Sequence, residues 1–376
     1  MSIFYDDDVI KRLHIELTNA CNSKCPLCIR TNSPVVEKVK HLTLDDIKKI
    51  NFSAVEFVQF CGNFGDPILC PEIYEICDYI IQKGIRIFIK TNGGMRDKKF
   101  WSDLGKLFSK ENIQDRGLPY PDVNHKVIFD IDGLEDTNHL YRVGTDFKKI
   151  MENAQSFINA GGLAEWEWLV FKHNEHQIME ARDLAIHMGF YKFHLKKTRS
   201  RGRLKKAKKE GHDLELQYTN KVFDIRGNTY DLQNWIYYEE ETPVQCKGSD
   251  RKEMFISCEG DMFPCCWWGG SYMNDKYHVE NTSMVPSIVN FDNNIRTNTW
   301  DNIVKNYTLK RDEMKSNFEN RCIKECNNQC GSKRKWMEDR VIILYRRDGK
   351  RRGKQRRLMQ AQYAKFSTPI YEEDTQ

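Results

Sequence analysis

The chain has 376 residues, of which 40% are hydrophobic and 30% charged, with a formal net charge of +5. That length leaves room for two or three domains around a large buried core, and the composition excludes wholesale disorder. No apolar run approaches the roughly 18 residues of a membrane span, and the acidic start at Asp6-Asp7-Asp8 is unlike a basic targeting peptide, so a cytoplasmic protein with no membrane partner is expected.

In chain order, Leu13 to Leu17 reads as a strand leading into a cysteine-rich loop, and Thr43 as the cap of a helix reaching Ile50. Val55 to Phe60 is the next strand. Ile73, Ile76, Cys77, Ile80 and Ile81 then share one helical face, ended by Gly84. A strand at Arg86 to Lys90, a helix after Asp97, and a strand at Val127 to Ile131 follow. Next come a helix over Thr145 to Ala160, a strand at Glu165 to Phe171, a helix from Glu175 closed by Gly189, and a strand at Tyr191 to Leu195. Such alternation predicts parallel strands with right-handed crossovers, in an open sheet or a barrel. No dinucleotide fingerprint or P-loop follows the first strand.

The regular pattern stops at a basic run, Lys196 to Lys209, and turn-rich, cysteine-bearing sequence follows from about Tyr237. The segment from Gly331 to Gln376 carries 13 Lys and Arg against 6 Asp and Glu, so the excess charge sits at the end of the chain. The reading is three units: 1–210, 211–340 and a basic tail, 341–376. Basic segments of this kind are commonly solvated loops, and they are also compatible with nucleic acid or another anion.

Thirteen cysteines are an odd number in a chain too large to need disulfide staples, so metal ligation or catalysis is the expected role of the clustered ones. Cys21, Cys25 and Cys28 are spaced C-x3-C-x2-C. Three thiolates can hold three irons of a [4Fe–4S] cluster and leave the fourth open, whereas zinc would normally close its site with a fourth ligand. Spacing alone leaves both metals possible. The loop's place after the first strand of an α/β series favours a cofactor at the strands' carboxyl ends.

The order of motifs resembles the radical S-adenosylmethionine (SAM) superfamily, whose signature is this cysteine spacing after the first strand of a partial (β/α)6 barrel. Gly62-Asn63-Phe64-Gly65-Asp66-Pro67 resembles the Gly-Gly-Glu-Pro segment after the second strand, with Asp66 one methylene shorter than the usual Glu. Thr91-Asn92-Gly93 resembles the Thr-Asn-Gly after the third. Asp130-Ile131-Asp132-Gly133 with Arg142 and Gly144 resembles the Ser-x-Asp-Gly…Arg-x-Gly stretch, with Asp130 in place of Ser, and His173-Asn174 fits a further pattern. Leu27 stands where an aromatic is commoner. The resemblance implies that Gly65, Asp66, Pro67, Asn92, Asp130 and Arg142 contact SAM. Read singly, the glycines would be turn residues and Arg142 a surface ion-pair partner. Cys61, Cys70 and Cys77 are expected to be structural.

Cys246, Gly260 and Cys265 are spaced C-x13-G-x4-C, which resembles the opening of the SPASM or twitch extension. Gly260 would sit at the tip of a hairpin with arms at Phe255-Ile256 and Met262-Phe263-Pro264. Two of Cys322, Cys326 and Cys330 would complete one auxiliary [4Fe–4S] cluster, and a zinc knuckle is the competing use of the same residues. Cys258 and Cys266 are spare ligands or thiols near substrate.

The resemblance implies reductive cleavage of SAM to a 5′-deoxyadenosyl radical, with an electron from an external flavodoxin- or ferredoxin-type donor, and hydrogen abstraction from a substrate. Peptide or protein modification is the first expectation. Because only 20 residues precede Cys21, no separate peptide-recognition domain is expected before it. A dehydrogenase of a sugar- or nucleotide-like molecule and a metal-stabilised nucleic-acid-binding protein are the alternatives. No general base is placed from the sequence; Glu165, Glu167 and Lys196 lie on or beside strands and are compatible with an inward position, but ordinary outward-facing charges are the expectation.

Overall fold

Six strands form in the order in which the alternating patterns occur. A computed structural model describes residues 10–31, 38–118, 125–196, 211, 221–223, 229–231, 246–277, 289–310, 312–314, 316, 330 and 341–346. Strands β1 (Arg12–Ile15), β2 (Phe57–Phe60), β3 (Arg86–Thr91), β4 (Lys126–Asp130), β5 (Leu163–Leu169) and β6 (Lys192–Lys196) pair parallel, each with the next. The connections carry α1 (Leu44–Lys48), α2 (Ile73–Gln82), α3 (Lys98–Phe108), α4 (Lys110–Asp115), α5 (Asn138–Tyr141), α6 (Phe147–Asn159) and α7 (Ile178–Met188). This is the parallel α/β arrangement of a partial (β/α)6 barrel.

Local chemistry explains most of the element ends. Thr43 and Asp46 form a reciprocal capping box on α1, and Asp97 and Asp146 cap α3 and α6 through their side chains. Gly189 closes α7 at φ 90°, a left-handed conformation that glycine adopts without a Cβ penalty. β5 ends two residues before the expected Phe171 because Asn174 Oδ1 takes the Phe171 N–H at 2.8 Å and turns the chain.

Side chains alternate between the two faces of the sheet. The outer face is apolar and packs on the helices: Ile87, Ile89, Phe129, Trp166 and Trp168 are fully buried, and Trp101 of α3 stacks at 5.2 Å from Phe129. The inner face is strongly charged, which reverses one expectation. Glu165 and Glu167 are only 2% and 7% exposed and point inward with Lys196. Trp166 and Trp168 take the helix-covered face, so the residues alternating with them must face the lumen.

Sequence after β6 returns to the same sheet. Beyond a small hairpin of β7 (Lys221–Phe223) and β8 (Thr229–Asp231) and the short helix α8 (Lys247–Asp250), β9 (Glu253–Ile256) pairs parallel with β1. β10 (Met262–Phe263) then folds back antiparallel on β9 around Gly260, at φ 94°, as the hairpin pattern predicts. Helices α9 (Cys266–Tyr277) and α10 (Trp300–Leu309) follow, and β11 (Val341–Arg346) adds antiparallel to β6. The nine-stranded order is β10-β9-β1-β2-β3-β4-β5-β6-β11, so the first run of the basic tail is an edge strand of the barrel sheet. The basic run at 197–209 and residues 347–376 lie outside the described residues. No helix among the described residues is long and apolar enough to cross a membrane.

Candidate active site at the carboxyl ends of the strands

The loops leaving β1 to β5 meet at one end of the sheet, and each is tied to its neighbour. Glu16, just past β1, accepts the backbone N–H groups of Phe64 at 2.6 Å and Gly65 at 3.3 Å, and Asp66 N donates to Ala20 O at 2.8 Å. The two loops approach so closely that a Cβ on Gly65 would collide with the Thr18 carbonyl oxygen, which accounts for glycine there. The Asp66 carboxylate is used inside the scaffold: it accepts Ile68 N at 3.2 Å and Asn92 N at 2.8 Å, linking the second loop to the third. Pro67 opens the short 3-10 turn Pro67–Leu69 that Asp66 caps.

The cysteine loop lies against this frame. Cys25 is buried, and Cys21 and Cys28 are partly exposed. Ser23 Oγ lies 3.1 Å from Cys25 Sγ and 3.2 Å from Val143 O, while Lys24 N donates to Val143 O at 2.8 Å, so the Arg142–Gly144 segment grips the loop. Asn92 Nδ2 reaches Asn22 Oδ1 at 2.9 Å and Cys21 Sγ at 3.8 Å. Arg142 Nε pairs with Asp132 Oδ2 at 2.6 Å, and its Nη1 stands 3.9 Å from Cys25 Sγ. Arg142 is therefore a partly buried ion-pair partner of the fully buried Asp132, contrary to the surface role it would have alone. Asp132 also accepts Leu169 N at 2.6 Å, and its backbone oxygen takes Asn174 Nδ2 at 2.8 Å, which brings in the fifth loop.

Burial pushes the Cys21 thiol up to about 12, with Asp66, Cys25 and Cys28 as further contributors. Burial also raises Cys25, against the opposing pull of Arg142. These thiols hold their protons until a positive centre displaces them. No three His, Cys, Asp or Glu side chains among the described residues converge tightly enough for one metal ion. Ligands on separate irons of a cluster stand further apart than ligands on one ion. An all-sulfur set with N–H groups aimed at two of its sulfurs fits an iron–sulfur cluster.

Asp130 lies on the inner face, where its Oδ1 meets Lys90 Nζ at 3.3 Å. Lys90 also pairs with Glu167, which Lys196 contacts at 2.6 Å. Deeper in the lumen Glu165 is held by Lys126 at 2.9 Å, His194 at 3.1 Å and Lys192 at 3.4 Å. Desolvation would raise the Glu165 carboxyl, but His194 and Lys126 bring it down to about 2. Glu16 and Lys90 are neighbours of the site that the sequence did not single out, and Glu165 and Glu167, read there as outward-facing charges, face the lumen. The available signal was a charged residue at every second position of an otherwise apolar strand.

In the second cysteine set, burial raises the Cys246 thiol to about 12, and the charge of Cys330 adds to that rise. Cys330 is therefore within electrostatic reach of Cys246. Cys265 follows the β10 arm directly, at the edge of the core, and Cys258 is fully buried. Cys322 and Cys326 lie outside the described residues. Cys70 and Cys77 are buried in the core, as expected of structural cysteines, whereas Cys61 lies on the lumen side near Lys90 and Asp130.

Comparison with known proteins agrees with this geometry. Residues 15–185 match the radical SAM superfamily. The chain is 25% identical over 276 residues to the antilisterial bacteriocin subtilosin biosynthesis protein AlbA of Bacillus subtilis (strain 168), covering 70% of this chain and 57% of that one. It thus spans little more than half the length of that relative. Among solved structures it is similar to Streptococcus suis SuiB bound to S-adenosylmethionine (TM-score 0.47, 15% identity, 75% of this chain and 68% of that one). It is also similar to anSMEcpe with bound AdoMet and Kp18Cys peptide (TM-score 0.48, 15% identity, 94% and 96%). The cysteine spacing and the parallel strands β1 to β6 fall within the matched region, so residues 15–185 are similar to the radical SAM superfamily in both sequence pattern and strand arrangement.

Proposed function

We propose that Cys21, Cys25 and Cys28 hold the [4Fe–4S] cluster, that the loops after β2, β3 and β4 hold S-adenosylmethionine beside it, and that the enzyme modifies a peptide or protein. The observation that carries this reading is the stitching of the other strand-end loops onto the cysteine loop through Glu16, Asp66, Asn92 and Arg142. Held by these residues, the cluster and SAM would supply the radical chemistry needed to take a hydrogen atom from substrate. The chain's own part is to fix and shield these groups. Arg142 places a cation beside Cys25, and Asn92 aims an amide N–H at Cys21. Because the Asp66 side chain is occupied, the backbone of Gly65 to Pro67 is what this loop offers the amino group of SAM, and Asp130 offers a carboxylate to its ribose.

The bacteriocin-biosynthesis relative favours a peptide substrate. The electrostatic reach of Cys330 to Cys246 supports an auxiliary [4Fe–4S] cluster built from Cys246, Cys265, Cys330 and one of Cys322 or Cys326. Electrons would come from an external flavodoxin- or ferredoxin-type donor.

The test is anaerobic. The protein is reconstituted with iron and sulfide, reduced and given SAM, and 5′-deoxyadenosine is quantified beside iron content and EPR. Cleavage abolished by Cys25→Ala, with iron near eight per chain, is the expected outcome. Bound zinc, or no cleavage in a fully loaded and reduced sample, overturns the reading. Deuterium transfer from a labelled sugar or nucleotide into 5′-deoxyadenosine would replace the peptide with a small molecule.

A further inference from the structure

Lys90, Asp130, Glu167 and Lys196 form one ionic chain on the inner face, across β3, β4, β5 and β6. A barrel interior filled for stability alone carries branched apolar residues, and buried ion pairs are weak contributors compared with such packing. The chain of charges is therefore better explained by what it holds in place. Lys90 is its centre: its ammonium contacts both carboxylates, and its side chain is 20% exposed. Asp130, at the last position of β4, keeps 23% of its side chain accessible, more than Glu167 at 9%. Asp130 also lies within electrostatic reach of Asp66, Asp132 and Arg142, so it joins the strand-end loops to the lumen.

We propose that Lys90 is a positioning residue: its ammonium, braced by Glu167 and Lys196, fixes the Asp130 carboxylate so that it can accept hydrogen bonds from the ribose hydroxyls of S-adenosylmethionine. This rests on the reading of Asp130 as a ribose contact. Without the ammonium, Asp130 would face the like charges of Asp66, Asp132 and Glu167 with its nearest cation gone, and would turn toward solvent or toward Arg142. One ribose hydrogen bond to a charged acceptor corresponds to roughly a tenfold difference in affinity or more.

The experiment is equilibrium dialysis of the anaerobically reconstituted full chain with SAM and with its 2′-deoxy and 3′-deoxy analogues. Iron content and thermal unfolding are recorded in parallel. The native protein should favour SAM over a deoxy analogue by roughly tenfold. Lys90→Met should lose that preference, raise KM for SAM far more than it lowers kcat, and keep its iron; Lys90→Arg should restore the preference. Should Lys90→Met fail to fold, Lys90→Met/Glu167→Gln removes both charges together and leaves Asp130 in place, with the same expected loss. Asp130→Ala, which leaves no acceptor at this position, separates the ribose contact from its brace. A preference that survives Asp130→Ala overturns the ribose reading itself. A preference lost in Asp130→Ala and intact in both Lys90 variants overturns the role of Lys90 alone.

Discussion

Removing the Arg142 guanidinium would leave the Asp132 carboxylate, whose side chain is 1% exposed, without its charge partner in a buried place. Breaking such a pair by deleting one member costs about 3–5 kcal/mol, so Arg142→Met should lower the denaturant midpoint by that equivalent, measured on the protein before cluster loading. Arg142→Lys keeps the charge but not the planar fork, and should recover only part of the loss. Asp132→Asn tests the same pair from the other side and should cost less, because the amide still offers an acceptor to Leu169 N. Asp66 teaches a related lesson. Its two carboxylate oxygens accept the N–H groups of Ile68 in its own loop and of Asn92 in the next, so it ties the second loop to the third.

Among the elements, the second loop is the most tightly specified. Gly65 sits against the Thr18 carbonyl, so Gly65→Ala must push the loops after β1 and β2 apart, with an expected cost of about 2 kcal/mol and a weakened affinity for SAM, read by chemical denaturation and dialysis. Arg96 braces the same region from the far side. Its Nε donates to Ile68 O at 2.9 Å and its Nη2 to Cys70 O at 2.7 Å, and it holds a φ of 66° to do so. Helix α1 is a milder case. Thr43→Ala deletes one half of its capping box and should cost about 1 kcal/mol in the same unfolding assay. Asp46, the other half, is also bound by Arg296 at 2.7 Å, which ties α1 to the segment following β10.

At the scale of the whole molecule, the pH profile of stability should carry the mark of Glu16. Burial pushes its carboxyl up to about 7, although Phe64 and Gly65 N–H and the nearby His14 pull it down. The folded state therefore keeps a proton that the unfolded chain, titrating near 4.5, has already lost. The contribution of Glu16 is greatest below that value and falls as pH rises toward 7, by an amount on the order of 3 kcal/mol. Glu16→Gln retains an acceptor for both N–H groups and should flatten the decline between those limits, measured by thermal unfolding across pH. Glu165, held at about 2, acts in the opposite sense and lower: its contribution is present above 4.5 and is lost as pH falls through 2. A native profile that stays flat between pH 4.5 and 7 would show that Glu16 is ionised throughout.

The sequence by itself determined the succession of strands and helices through β6, the cysteine loop after β1 and the motif at each strand end. These signals are local: period-two and helical alternation, capping residues, glycines and short spacings. Only the tertiary structure decided which face each charged strand residue occupies. Alternation places Glu165 and Glu167 opposite Trp166 and Trp168 but does not say which pair meets the helices, and that choice follows from burying two indoles against α-helical side chains. The tertiary structure likewise paired Asp130 with Lys90 and Asp132 with Arg142. It also brought β9 beside β1 and β11 beside β6, pairings between segments far apart in the chain that no short-range pattern encodes, because unpaired edges of a parallel sheet are satisfied by whichever distant strand can reach them.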